Sequence, residues 1–224
     1  FTEYLDSDDS RREIPNNAVT HEHYSHDLMT DRALKFIRDA KDSPFFFYAA
    51  YTVPHFSAHD EDPDGLAVPS TEPYTDRDWP EKAKKYAAMV HRLDRDVGRI
   101  TALIDELGLK DNTLIVFSSD NGGHSTVWKE FQTSGLLRGY KRDLYEGGIR
   151  VPFIARWPGV VPAGKTSDAV IAFQDMLPTF AQLAGAEVPE GLDGIDITAA
   201  LKGGKLDAPH EFLYWDYGHC RRYY

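Results

Sequence analysis

Asp120 and Asn121 have the clearest capacity for chemistry in this sequence. They stand side by side after Asn112-Thr-Leu-Ile-Val-Phe-Ser-Ser119, and Gly122-Gly123-His124 follows. A carboxylate next to an amide carbonyl suits a hard cation such as calcium or magnesium. A second group carries the opposite sign. Arg138, Lys141, Arg142 and Arg150 fall in one glycine-bearing segment, 136–150, and a loop of that kind can bring backbone amides and cations to an oxyanion. His55 follows Val53-Pro54, just past an aromatic run, and an imidazole can protonate a leaving oxygen. A metal polarising a sulfuryl or phosphoryl oxygen, with a lysine adding a point charge, would act on an anionic ester. Taken singly, each residue has an ordinary structural reading. Asx-Gly after a strand is commonly a turn, a lone lysine is commonly a solvated surface cation, and His55 alone is a loop histidine.

The surrounding elements decide where these residues lie. Residues 113–118 form a short apolar run bounded by turn residues, which reads as a buried strand. Phe45-Phe-Phe-Tyr-Ala-Ala-Tyr-Thr52 is almost wholly apolar and reads as a central strand buried on both faces. Between them, Tyr86, Met89, Val90, Leu93, Val97, Ile100, Ile104 and Leu107 keep helical spacing from Pro80 to Leu107. Asp78 with Glu81 resembles a capping pair, and Gly108 ends the helix. Strand, helix and strand make a βαβ unit with parallel strands. Ligands bind at the carboxyl edge of such sheets, and His55 and Asp120-Asn121 would share that edge.

The remaining elements are shorter. A helix is predicted from Ser25, its cap, to Ser43-Pro44, with Met29, Ala33, Phe36, Ile37 and Ala40 as its apolar stripe. Residues 1–24 read as an irregular polar segment, and His21, His23 and His26 as solvated loop histidines. Residues 56–79 form a long proline-bearing surface excursion. Val151–Ala155 is a further strand, and Asp175 caps a helix that runs to Ala184 and stops at Gly185. Phe212–Trp215 is a candidate last strand.

Composition excludes some classes of function. The 224 residues are 42% hydrophobic and 27% charged, enough for one large globular domain or one domain with a small appendage. A net charge of −11 argues against nucleic acid or an anionic membrane as partner. No stretch approaches the ~18 apolar residues of a membrane span. Cys220 is the single cysteine, so no internal disulfide forms; it reads as a leftover thiol in a partly buried strand.

Four blocks in order resemble one family. They are Phe45–His55, Phe117-Ser-Ser-Asp-Asn-Gly122, Leu137-Arg-Gly-Tyr-Lys141, and Tyr145-Glu-Gly-Gly-Ile-Arg-Val-Pro-Phe-Ile-Ala155. Trp157-Pro-Gly and Asp175-Met-Leu-Pro-Thr179 follow in step. Together they are similar to formylglycine-dependent sulfatases of the arylsulfatase type. The resemblance implies an α/β fold with a mostly parallel sheet flanked by helices, of alkaline-phosphatase-like architecture and here incomplete. It implies that residues 25–185 belong to the catalytic α/β domain and 186–224 begin a carboxyl-terminal subdomain. Asp120 and Asn121 would be two ligands of one calcium ion. Lys141 would bind the sulfate group, and His55 would touch it and act as proton donor to the leaving alcohol. The reaction would be hydrolysis of a sulfate ester through a covalent sulfo-enzyme, in a periplasmic, extracellular or lysosomal setting.

One departure from the family is large. Its nucleophile is a cysteine, oxidised to formylglycine, in an early Cys-x-Pro-Ser-Arg run. Here Cys220 is followed by Arg221-Arg222, and the paired aspartates that complete the calcium site are also missing. The expectation is a middle-to-late piece of a longer sulfatase, inactive by itself. Two other readings stay open: a non-catalytic module that binds sulfated glycans, and a two-zinc phosphodiesterase of the same superfamily. The sequence does not name the ester or the oligomeric state.

Overall fold

A computed structural model describes residues 23–56, 65–125 and 131–217, together with the pairing of two short strands nearer the amino terminus. Cys220 and His21 lie outside the described residues. The chain divides into two compact units. The first comprises Phe1–Leu109 with Thr126–Phe131, and the second Lys110–Ser125 with Gln132–Tyr224.

In the first unit, β1 (Glu3–Leu5) and β2 (Arg11–Glu13) pair antiparallel, with Glu3 opposite Glu13. The 1–24 segment is therefore not wholly irregular. Neither trio shows apolar alternation, so the pattern gave no strand signal. Helix α1 spans Ser25–Ala40, and α2 spans Glu81–Glu106. Three expected caps are not made. Tyr24 and Pro80 hold the amino-cap positions of α1 and α2 without side-chain hydrogen bonds, and Asp175 does not cap the helix that follows it. For α2 the proline supplies what a cap would, since its fixed φ suits a helix start and its carbonyl accepts from Ala83 N at 2.9 Å. Gly108, at φ +72°, ends the helix as predicted.

Buried apolar side chains are Ala33, Leu34 and Ile37 on α1 and Ala83, Ala88, Met89, Leu103 and Ile104 on α2. A polar cluster is buried with them. His26, expected as a solvated loop histidine, is fully buried in the first turn of α1, as are Thr30 and Asp96. Thr30 Oγ1 donates to Asp96 Oδ2 at 3.1 Å. Arg95 Nε and Arg99 Nη1 reach Asp96 Oδ1 at 2.8 and 3.2 Å. Arg92 grips Asp27 with two bonds of 2.7 and 2.6 Å. A buried carboxylate is tolerated only when paired in this way. His26 Nε2 lies 3.1 Å from Asp96 Oδ2 but out of line for a hydrogen bond, and Nδ1 has no partner among the described residues.

Residues 45–52 are not a buried central strand. No strand pairs with them among the described residues. Phe45 and Phe47 pack on Phe36 of α1, with ring centroids 5.9 and 5.2 Å apart, while Phe46 and Tyr48 are 73% and 77% exposed. Composition made the segment ready for burial on both faces; a ladder also needs neighbouring strands. The predicted parallel βαβ pairing is likewise not made among the described residues.

In the second unit, β3 (Ile115–Ser118) pairs antiparallel with β4 (Phe153–Arg156), Ile115 opposite Arg156 and Ser118 opposite Phe153. A one-turn helix, α3 (Glu146–Ile149), precedes β4. The helix α4 (Met176–Ala184) ends at Gly185, and α5 spans Thr198–Leu201. The Asp175 carboxylate, fully buried, ties three segments together. It accepts from Ala172 N at 2.7 Å and Ile195 N at 2.9 Å, and lies 2.9 Å from His210 Nε2. Phe212–Trp215 is not a strand; these residues have no regular structure, and Phe212 is 77% exposed.

Candidate active site

The antiparallel ladder of the second unit has a direct consequence for chemistry. The carboxyl end of β3 lies beside the amino end of β4. The loop leaving β3 carries Asp120 and Asn121, and the loop entering β4 carries Lys141, so both open at one edge. Backbone hydrogen bonds then stitch the loops together. Lys141 N donates to Gly123 O at 2.9 Å, and Gly122 N donates to Gly148 O at 3.0 Å. Ser118 Oγ donates to Pro152 O at 2.9 Å on the same edge.

Glycine makes the approach close. A β-carbon on Gly122 would stand 1.9 Å from Gly147 O, one on Gly147 2.1 Å from Gly139 O, and one on Gly148 2.1 Å from Asp143 O. No side chain fits at any of the three, because each would meet backbone. Gly147 N also donates to Arg138 O at 2.7 Å. The loop bearing Lys141 is thus clamped against the loop bearing Asp120 and Asn121.

The side chains at this edge differ in exposure. Asp120 is exposed. Asn121 is half-buried, and its Nδ2 donates to Gly122 O at 3.0 Å, while its side-chain carbonyl oxygen accepts no hydrogen bond among the described residues. The pair supplies two hard oxygen donors, matching calcium in type though not in number, since calcium takes 6–8. No group of three or more His, Cys, Asp and Glu suited to a metal occurs among the described residues. Arg138 does not join the open cations, because its guanidinium stacks 3.7 Å from the Tyr145 ring centroid. Arg150 pairs with Glu146 at 3.2 Å.

His55 lies in the first unit, in a turn closed by His55 N donating to Thr52 O at 2.9 Å. Its Nδ1 stands 2.7 Å from Phe56 O. A carbonyl only accepts, so Nδ1 carries a proton, and Nε2 makes no hydrogen bond among the described residues. The structure therefore brings Asp120, Asn121 and Lys141 to one edge, and His55 belongs to the other unit. Sequence reasoning missed the glycine contacts. Their signal was present in Gly122-Gly123 and Gly147-Gly148, two pairs flanking the two loops.

Comparison with known proteins settles the family. The sulfatase family model matches residues 1–186. This chain belongs to the sulfatase family. It is 34% identical over 212 residues to human steryl-sulfatase, covering 89% of this chain and 34% of that protein. It is 33% identical over 208 residues to human arylsulfatase A, covering 91% of this chain and 37% of that protein. The chain thus spans about a third of the length of these relatives. Among solved structures, Ps i-CgsB in complex with k-i-k-neocarrahexaose matches with a TM-score of 0.69 at 34% identity, over 87% of this chain and 42% of that one. The fold is α/β, of the alkaline-phosphatase-like type found in sulfatases. No described helix is long and apolar enough to cross a membrane.

Proposed function

We propose that the full-length protein hydrolyses sulfate esters. The observation that carries this reading is the clamp of the two loops, with Lys141 N bonded to Gly123 O at 2.9 Å, two residues past Asn121. An ammonium group and two oxygen donors on neighbouring loops suit a tetrahedral anion held between a metal and a lysine. In this reading Lys141 binds the sulfate and offsets the negative charge that grows on its oxygens. Asp120 and Asn121 are two of the ligands of one calcium ion, which when bound would polarise a sulfuryl oxygen. By family resemblance, His55 in its imidazolium form, with both ring nitrogens protonated, would give the Nε2 proton to the leaving alcohol and be left as the neutral ring with its proton on Nδ1. A formylglycine nucleophile is supplied from outside these 224 residues. Family resemblance supports a periplasmic, extracellular or lysosomal location.

Turnover of 4-nitrophenyl sulfate by the full-length protein tests the proposal. Lys141→Ala should lower turnover by a factor of about 10², the scale of losing one electrostatic stabiliser. Near-normal activity in that variant would remove Lys141 from the site. Metal analysis of the same protein separates about one calcium from the roughly two zincs of a phosphodiesterase.

A further inference from the structure

Arg142 occupies a position that its own backbone disfavours. Its φ is +79°, a left-handed conformation that glycine adopts freely and side-chain-bearing residues rarely do. The turn requires it. Asp143 N donates to Tyr140 O at 2.9 Å, so Lys141 and Arg142 are the two corner residues. A positive φ at the second corner is type II geometry, for which glycine is the usual choice. The same loop uses glycine at two of its other positive-φ positions, Gly135 at +58° and Gly139 at +88°, and a glutamine at the third, Gln132 at +47°; Arg142 is the side-chain-bearing residue held furthest into this region. An arginine at a corner that glycine would fill without strain points to a use for its side chain.

The electrostatics suggest that use. Of the four cations in this segment, Arg138 is stacked on Tyr145 and Arg150 is paired with Glu146. Arg142 is exposed, and neither it nor Lys141 makes a side-chain hydrogen bond or ion pair among the described residues. Two adjacent cations that no carboxylate pairs among the described residues, with the neighbouring Asp143 carboxylate bonded instead to Tyr140 N at 2.9 Å, form a local anion-attracting point in a chain of net charge −11. Arginine adds what lysine lacks, a planar fork that takes two oxygens of one carboxylate or sulfate.

We infer that Arg142 is a specificity-determining residue, reading a second oxyanion on the alcohol side of an ester whose scissile sulfate faces Lys141. The inference rests on the sulfatase reading above. The substrate class is therefore a multiply anionic sulfate ester, with a further sulfate or a carboxylate near the one removed.

The test compares kcat/KM of the full-length protein on three ester types built on one sugar: a monosulfate, a disulfate, and a monosulfate bearing a carboxylate. Unaltered protein should prefer one doubly anionic ester over the monosulfate, and which one identifies the second group. Arg142→Gly suits the turn, so its melting temperature should equal or exceed that of the unaltered chain. The preference should fall at least tenfold in this variant, mostly through KM, and Arg142→Lys should restore part of it. Turnover with no preference, or a preference unchanged in Arg142→Gly, overturns the inference alone. Absence of turnover on all three esters and on 4-nitrophenyl sulfate overturns the sulfatase reading and this inference with it.

Discussion

Replacing Gly147 by alanine tests whether contact between the two loops sets the position of Lys141. The new β-carbon would lie 2.1 Å from Gly139 O and 2.8 Å from Arg138 O. Both are backbone atoms, and Arg138 O already accepts the Gly147 N–H at 2.7 Å, so no side-chain rotation relieves the clash. Opening the nearer contact to the 3.0 Å that real β-carbons need moves one strand of the loop by about 1 Å. Gly139 is two residues from Lys141, so the ammonium group moves with it, while Asp120 and Asn121 stay with β3. A displacement of about 1 Å in a positioned group costs roughly 10²-fold in rate. Overpacking costs stability on a smaller scale, about 1–3 kcal/mol. The expected outcome for Gly147→Ala in the full-length protein is a fall in kcat of about 10² on 4-nitrophenyl sulfate. Its calcium-induced rise in melting temperature should be retained, showing that the Asp120 edge is still folded. Activity within a few-fold of the unaltered protein would refute the idea that this glycine holds the lysine in register.

Two further outcomes are expected. If Asp120 is a calcium ligand, Asp120→Ala should abolish the thermal stabilisation by added calcium, because a ligand stabilises only the state that binds it; an undiminished shift in melting temperature would exclude the assignment. Acid should weaken the α1–α2 pair in two stages. Burial pushes the His26 imidazole below its ordinary 6.5, more than Asp96 raises it. Its contribution is thus complete above pH 6.5 and lost as pH falls below that value, where the unfolded chain takes up the proton. Burial raises the Asp96 carboxyl, but hydrogen bonds from Arg95 and Arg99 outweigh it and hold the group at about 2, against an ordinary 3.8. That contribution is present above 3.8 and lost as pH falls through about 2. Urea midpoints measured from pH 7 downward should decline first below pH 6.5, and His26→Gln should remove this first stage. An equal decline in that variant would show that other groups cause it.

The long helices were legible because their periodicity is a property of the local chain. The predicted Pro80–Leu107 is observed as Glu81–Glu106, and the helix from Ser25 as Ser25–Ala40. What each helix buries was less legible. The apolar stripe of α2 predicted Val90 inside, yet Val90 is 42% exposed and Asp96 is fully buried. Asp96 is inside because α1 presents Thr30 and His26 to it and Arg95 and Arg99 close over it. No single-helix pattern contains that pairing, although the steps of three and four between Arg92, Arg95 and Arg99, set against Asp27 and Asp31, carry its trace.

The candidate site shows a different kind of partial legibility. Sequence reasoning put His55 and Asp120-Asn121 on one edge by assuming that residues 45–52 and 113–118 run parallel in one sheet. That ladder is not formed among the described residues. Lys141 meets the Asp120 loop for another reason, the antiparallel ladder of β3 and β4 with its register of Ser118 opposite Phe153. A hairpin-like return is needed to bring the end of one strand beside the start of the other. The intervening residues 119–152 gave no sign of it, because their polar and glycine-rich composition reads only as loop. The glycine pairs were the available sign, since two such pairs at the mouths of two loops permit a backbone approach that any β-carbon would block. The two halves of the proposed mechanism therefore have different support. Asp120, Asn121 and Lys141 share an edge through ladder and clamp. His55 enters through family resemblance and through its Nδ1 contact to Phe56 O, which leaves Nε2 of the imidazolium form as the position whose proton could go to the leaving alcohol.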